Sequence, residues 1–191
     1  MTSVSEKTIE KVKVAMLSCL ETQPLHKVSI KTIAEKAGIS RQSIYNYFPS
    51  KEKIFSCIFD DLLEELMEEI EPILKNFDEN SSTLISQLGF TLVQQNAGMV
   101  TLLFSSDADH LCYDRLRHHA LRWMGNIARN HGIIIDDPGY LEYAVEHVTG
   151  SGYHVMKRWL LNGMPYTPEE MSKIHSHLMS FPLLQGMMTQ K

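Results

Sequence analysis

The spacing of apolar residues is the feature of this 191-residue chain that most restricts its fold. In nearly every segment, apolar side chains recur at intervals of three and four, and no stretch alternates apolar and polar residues over a useful length. Intervals of three and four place side chains on one face of an α-helix, whereas strict alternation is typical of a β-strand. The sequence therefore predicts an all-α fold.

Helix ends are marked most clearly in the first 75 residues. The first helix should end before the Gln23-Pro24-Leu25 break, because a residue before proline is disfavoured in a helix. Ser29, Ser40 and Ser50 can each cap the free amides of a following helix. Pro72 should bend or end the last of these helices. The expected helices span about 5–22, 30–37, 41–47 and 50–75.

The remainder of the chain predicts about five more helices. Breaks are expected near 96–98, 105–107 and 131–138. Asp137 can cap a helix that has proline at its first position, and Thr167-Pro168-Glu169-Glu170 forms a capping box. The last two helices should therefore cover about 138–162 and 168–180.

Composition permits folding without disulfides or metals. A chain of this length with 43% hydrophobic residues can bury roughly 70% of its unfolded surface. The three cysteines, Cys19, Cys57 and Cys112, are odd in number and lie in apolar stretches, as expected of reduced core thiols. No segment has the apolar length of a signal peptide or a membrane span. These features predict a cytoplasmic protein with no membrane partner.

Charge is distributed unevenly along the chain, although its net value is −5. Residues 1–53 carry nine basic and five acidic groups, whereas residues 54–80 carry one basic and nine acidic groups. A basic head suggests an anionic partner for that part alone. The acids of the long helix, including Asp60 and Asp61, are expected to form a solvated face.

Residues 29–53, SIKTIAEKAGISRQSIYNYFPSKEK, carry the most informative pattern. Two short helices can each turn an apolar face inward, and Gly38 between them permits a tight turn where a Cβ would clash. The inner positions are Ile30, Ile33, Ala34, Ala37, Ile39, Ile44 and Phe48. This spacing packs the two helices at a steep angle, as in a helix-turn-helix.

The second short helix presents its polar residues outward and is short enough to enter a major groove. Arginine can pair bidentately with guanine and glutamine with adenine, while serine and tyrosine hydroxyls can donate to phosphate. Lys51 lies in the first turn of the next helix, whose positive end also suits phosphate. The outward residues are Arg41, Gln42, Ser43, Tyr45, Asn46 and Tyr47.

The stretches IAEKAGIS, IYNYF and SKEKIF together resemble the DNA-binding domain of the TetR/AcrR family of bacterial regulators over about residues 8–55. The resemblance implies that Ser29 and Thr32 touch the DNA backbone. It also implies that the recognition helix runs from Ser40 to Tyr47 and that Lys51 holds a phosphate. Asn46 departs from the histidine often found at its position, but asparagine can still donate a hydrogen bond.

The family resemblance also implies the architecture and the function. An N-terminal three-helix DNA-binding domain, residues 1–53, would be joined by a long helix to a helical ligand-binding and dimerisation domain, residues 54–191. The last two helices would pack against their copies in a homodimer, so the operator would be an inverted repeat. The chain is therefore expected to be a transcriptional regulator that is controlled by a small-molecule effector and needs no cofactor. The family resemblance implies a repressor.

An adaptable wall of methionine and aromatic side chains suits a small organic effector. Ordinary core packing would explain the same residue types equally well. The candidate lining residues are Met99, Phe104, Tyr113, Trp123, Met124, Met156 and Trp159.

Other functions have weaker support. The chain has no phosphate-cradling glycine loop, no GxSxG and no CxxC, so we do not expect an enzyme. The histidine spacings, such as His118-His119, suit a single metal site poorly. An activator, or a regulator that acts by co-binding another protein, would look identical in sequence to a repressor. A helical small-molecule binder or enzyme that has lost DNA binding should lack Arg41, Gln42 or Lys51, and all three are present.

Overall fold

The computed structural model describes residues 4–76, 78, 80–130, 132 and 137–188, and all regular structure within them is helical. A 3-10 turn, Leu25–Lys27, follows the first helix. The α-helices are α1 (Val4–Leu20), α2 (Ile30–Ala37), α3 (Arg41–Tyr45), α4 (Lys51–Lys75), α5 (Ser81–Gln95), α6 (Ala97–Phe104), α7 (His110–Asn130), α8 (Pro138–Leu161) and α9 (Pro168–Met188). The all-α prediction is confirmed.

The chain divides into two compact units. The first unit contains residues 1–62 and 98–115, and the second contains residues 63–97 and 116–191. Helices α4 and α7 each begin in the first unit and end in the second. The first unit therefore combines the expected helix-turn-helix with α6 and the start of α7.

The core of the first unit is built from the apolar faces that the sequence pattern predicts. Val12 and Met16 of α1, Ile33 of α2, Ile44 of α3 and Phe55 of α4 are all fully buried, at 0% exposure. Burial of such a side chain contributes about 1.5–3 kcal/mol to stability. These contacts fix the short α2 and α3, which could not persist as isolated helices.

The second unit has an aromatic core between α5 and α8. The rings of Phe90 and Trp159 meet edge to face, with centroids 5.1 Å apart. The Trp159 indole Nε1–H donates to the carbonyl of Tyr166 at 2.9 Å, so its polar atom is satisfied although the residue is only 3% exposed. A Cβ on Gly89 would lie 3.4 Å from the Met156 methyl group, which shows how closely these helices approach.

Helix caps agree with the sequence signals. The Asp137 carboxylate accepts the amide N–H of Gly139 at 2.8 Å. Glu170 accepts the amide of Thr167 at 2.8 Å, and the Thr167 hydroxyl accepts the amide of Glu170 at 3.2 Å, which confirms the capping box. Helix α4 reaches the predicted Lys75, and Pro72 does not end it. Helix α9 runs further than predicted, to Met188 in place of residue 180.

The expectation that the acids of α4 form a solvated face is wrong for Asp60. This residue is only 8% exposed, and its carboxylate accepts a hydrogen bond from Arg115 Nε at 2.6 Å. Lys53 Nζ lies 4.0 Å from the other oxygen. Arg115, which neutralises Asp60, lies on α7, and no local pattern in the sequence indicates this pair.

Cys19, Cys57 and Cys112 are all free thiols, and Cys19 and Cys112 are buried. Within the described part of the chain, no helix combines the length and the apolar character that crossing a membrane requires.

Candidate nucleic-acid interface

The α2 helix begins at a serine cap. Ser29 has extended backbone angles, and its Oγ accepts the amide N–H of Thr32 at 3.1 Å. The two hydroxyls also lie 2.9 Å apart. This cap exposes Ser29 and holds Thr32 half-buried at the start of α2, and their contact with DNA remains a prediction.

The turn from α2 to α3 depends on the backbone of Gly38. Its φ of +67° lies in the left-handed region, which costs an L-residue with a Cβ about 1–2 kcal/mol. The expectation that a Cβ would clash here is wrong, because no atom lies within 4 Å of the Cβ position. Glycine is favoured at this turn by its backbone angles and not by lack of space.

The α3 helix repeats the capping arrangement of α2. Ser40 Oγ accepts the amide N–H of Ser43 at 3.0 Å, and the two hydroxyls are 2.8 Å apart. The helix ends at Tyr45, earlier than the expected residue 47, because the amides of Tyr47 and Phe48 both turn back to the carbonyl of Ile44. Ile44 and Phe48 then anchor the short helix from below.

Side chains able to read bases are exposed on α3 and on the two residues that follow it. Arg41, Gln42 and Asn46 are all exposed, and Gln42 Nε2 lies 3.4 Å from Asn46 Oδ1, one helical turn away. Tyr45 is 51% exposed and Tyr47 is 41% exposed. The predicted exposure of these five side chains is confirmed, whereas Ser43, the sixth residue expected to face outward, is half-buried. The exposed face offers both hydrogen-bond donors and apolar rings.

Lys51 makes contacts that the sequence did not indicate. Its ammonium donates to the carbonyls of Leu25, His26 and Val28, at 2.8, 3.0 and 2.9 Å. A lysine ammonium has three protons, and here three acceptors match them. Lys51 therefore ties the start of α4 to the turn before α2, while its predicted phosphate contact stays a prediction.

The opposite edge of the same turn is held by Asp107, in the loop between α6 and α7. Its carboxylate accepts the amide N–H of Leu25 at 2.7 Å and that of His26 at 3.2 Å, and it also lies 2.7 Å from His26 Nδ1. Partial burial opposes ionisation, but these hydrogen bonds prevail and lower the pKa of Asp107 to about 2. Sequence reasoning missed this residue, since 82 positions separate it from Leu25.

The candidate effector-lining residues do not form one set. Met99, Phe104 and Tyr113 lie in the first unit, whereas the other four lie in the second. Phe104 packs against Phe59, with ring centroids 5.9 Å apart. Phe104 and Trp159 are buried, as the alternative of ordinary core packing predicts. An effector contact for any of the seven residues remains a prediction.

An open cleft in the first unit has a different location. It lies between α1 and α2 and has a volume of about 690 Å³. Its lining residues are Glu6, Lys7, Glu10, Lys11, Val14, Ala15, Ser18, Lys36 and Ala37. None of the candidate effector-lining residues is among them.

Two family models match this chain. The model described as bacterial regulatory proteins of the tetR family matches residues 15–57. The model described as a transcriptional regulator C-terminal region matches residues 79–181, which is more than half of the chain.

One curated relative is the nucleoid occlusion factor SlmA from Idiomarina loihiensis, which is 31% identical over 113 residues. The match covers 56% of this chain and 56% of SlmA, so the chain spans about half the length of the curated relatives it matches.

Solved structures resemble the chain over nearly its whole length. A TetR-family transcriptional regulator from Syntrophomonas wolfei has a TM-score of 0.67 at 18% identity, covering 94% of this chain and 98% of its own. The transcriptional repressor FadR from Thermus thermophilus, in complex with lauroyl-CoA, has a TM-score of 0.62 at 18% identity, covering 96% of both chains. At these identities the likeness shows the fold.

Proposed function

The chain belongs to the TetR family of bacterial regulatory proteins, and on that basis we propose that it binds an inverted-repeat operator as a homodimer under control of a small-molecule effector. The observation that carries the proposal is the exposed face at α3, with Arg41 and Gln42 on the helix and Asn46 at its C-cap. The helix is anchored by the buried Ile44. Arginine and glutamine are the side chains best suited to guanine and adenine in the major groove.

Salt dependence tests the DNA-binding part. If several phosphates are neutralised, the affinity for a duplex should fall steeply between about 50 and 200 mM salt. Fluorescence anisotropy with labelled duplexes measures this slope. An affinity that does not change with salt would contradict a protein that binds along the phosphate backbone.

The homodimer is supported by apolar side chains that the single chain leaves exposed on α8 and α9. Tyr153, Leu160 and Met171 are buried within the chain and are therefore assigned to its own core. Tyr143 is 79% exposed and Leu178 is 56% exposed. Among the side chains of these two helices that the structure describes, Tyr140, Leu161 and Ile174 are also exposed.

Sedimentation equilibrium tests the dimer. We expect the parent protein to sediment as a dimer and Tyr143→Glu to shift it toward monomer, because an interface core does not tolerate an unpaired charge. Tyr166→Glu is the matched control, since Tyr166 is 52% exposed but lies outside both helices. Equal dimerisation of all three proteins would assign the interface elsewhere.

An effector is proposed by analogy with the Thermus thermophilus repressor, which holds lauroyl-CoA. A ligand shifts DNA affinity only if it binds the two conformations differently, and about 3 kcal/mol of coupling changes affinity by a factor of 100 or more. Lauroyl-CoA is the first probe, with free CoA as the control. Release of bound duplex by lauroyl-CoA but not by free CoA would identify the acyl chain as the recognised part.

Nucleoid occlusion is a second candidate function, favoured by the sequence match to SlmA. Deletion of the gene separates the two candidates. A regulator should change the transcript level of genes beside its binding sites, upward for a repressor and downward for an activator. A nucleoid occlusion factor should instead change where division septa form relative to the nucleoid.

A further inference from the structure

Charged side chains bind both the backbone amides and the backbone carbonyls of the turn at residues 25–28. Asp107 accepts the amides of Leu25 and His26, and Lys51 donates to the carbonyls of Leu25, His26 and Val28. Leu25 and Val28 are also buried, at 3% and 2% exposure. A segment of four residues is thus fixed by two oppositely charged side chains and two apolar anchors.

This turn leads directly into the DNA-facing helices. Val28 is followed by Ser29, the cap of α2. Helix α2 packs against α3, and Ile33 of α2 and Ile44 of α3 are both fully buried. Any shift of the turn therefore moves the first residue of α2 and, through the shared core, the orientation of α3. The four residues link the α6–α7 loop and the start of α4 to the helix that presents Arg41 and Gln42.

We propose that Asp107 is a positioning residue for DNA binding, acting through the turn at residues 25–28 on the start of α2. The proposal rests on the proposed DNA-binding function. Asp107 itself needs no contact with DNA, because its carboxylate is already engaged by Leu25, His26 and the Ser106 hydroxyl.

Removal of the charge of Asp107 should change DNA affinity in one direction if Asp107 is a positioning residue and in the other direction if it is not. An acid in a DNA-binding unit repels phosphate, so neutralising an acid with no positioning role should leave affinity unchanged or raise it. Neutralising Asp107 should instead lower affinity, since the amide that replaces the carboxylate accepts hydrogen bonds more weakly. If DNA binding requires the turn position that these bonds hold, restoring that position without one charged hydrogen bond lowers affinity by about tenfold or more.

The experiment compares Asp107→Asn with Asp114→Asn, which removes an equal charge from an exposed residue of α7 in the same unit. Each protein is titrated against the duplex that the parent selects from a random library and against a scrambled duplex. Thermal unfolding is recorded for each to confirm folding at the titration temperature.

We expect Asp107→Asn to lose about tenfold in affinity for the selected duplex and much less for the scrambled one. The salt slope should not change, because no phosphate contact is removed. Partial unfolding would lower both affinities equally, so the ratio of the two separates positioning from stability. Asp114→Asn should bind both duplexes at least as tightly as the parent.

Other outcomes would refute either the positioning role of Asp107 or the DNA-binding function. Equal binding by Asp107→Asn and the parent would refute the positioning role while leaving DNA binding intact. A parent that binds no duplex would refute the DNA-binding function and this inference with it. If Asp107→Asn does not fold, Asp107→Glu keeps the charge but moves the carboxylate away from the amides of Leu25 and His26, and unchanged duplex preference in that variant would refute the role.

Discussion

Replacement of Lys51 by methionine separates a structural lysine from a phosphate-binding one. Methionine keeps much of the aliphatic stem but removes the ammonium that binds three carbonyls at 2.8–3.0 Å. A hydrogen bond to a charged group contributes about 1.5–3 kcal/mol. Because the three bonds share one partly exposed ammonium, we expect the whole set to contribute about that amount and not three times as much.

The consequence for stability can be measured by thermal unfolding. A chain of 150–250 residues loses about 2–4 °C in unfolding midpoint per kcal/mol, so the midpoint of Lys51→Met should fall by about 3–12 °C. Lys27→Met is the matched control, because Lys27 lies in the same turn but is exposed. Its midpoint should stay close to that of the parent.

The consequence for DNA binding distinguishes the two roles of Lys51. A lysine that neutralises a phosphate adds about 0.9 to the slope of log affinity against log salt, or about 1.8 for two protomers. We expect Lys51→Met to bind more weakly with an unchanged slope. An unchanged unfolding midpoint together with a slope reduced by about 1.8 would refute the structural assignment.

Three further variants probe other parts of the account. Gln42→Ala should lose about 1–3 kcal/mol of discrimination at one base pair per half-site, seen by comparing selected duplexes, and identical selections would remove Gln42 from the reading face. Gly38→Ala should cost about 1 kcal/mol in urea unfolding because of its left-handed backbone, whereas Gly98→Ala, inside α6 with open space around it, should cost nothing. Burial lowers the pKa of His175, so the unfolded chain binds its proton more readily and stability should fall as the pH drops below about 6.5. His175→Asn should flatten that fall, and an identical pH dependence in both proteins would count against it.

Local signals in the sequence predicted the elements of the fold well. Ser29 and Ser40 accept backbone amides three residues ahead, so their roles can be read from neighbouring positions alone. The turn at Gly38 was also predicted, but its cause is the left-handed backbone and not a Cβ clash. The apolar spacing that places Ile33 and Ile44 in one core is equally local, because each helix carries its own inner face.

Long-range polar contacts could not be predicted in the same way. Asp107 meets His26 across 81 positions and Arg115 meets Asp60 across 55, and neither pair has a local pattern. For Lys51 the sequence indicated the charge but not its acceptors, which are backbone carbonyls without side-chain identity. The aromatic residues offered as effector contacts, such as Trp159, could not be told from core residues because both uses favour the same side chains.

Selection of bound sequences from a random duplex library tests whether the chain is a sequence-specific, dimeric DNA-binding protein. The purified full chain is used in low salt without added ligand, and its dimeric state is checked in the same buffer. We predict enrichment of an inverted repeat whose half-sites lie about one helical turn apart, as two α3 helices of a two-fold dimer require. A folded dimer that enriches no sequence, both alone and with added cell metabolites, would contradict the account.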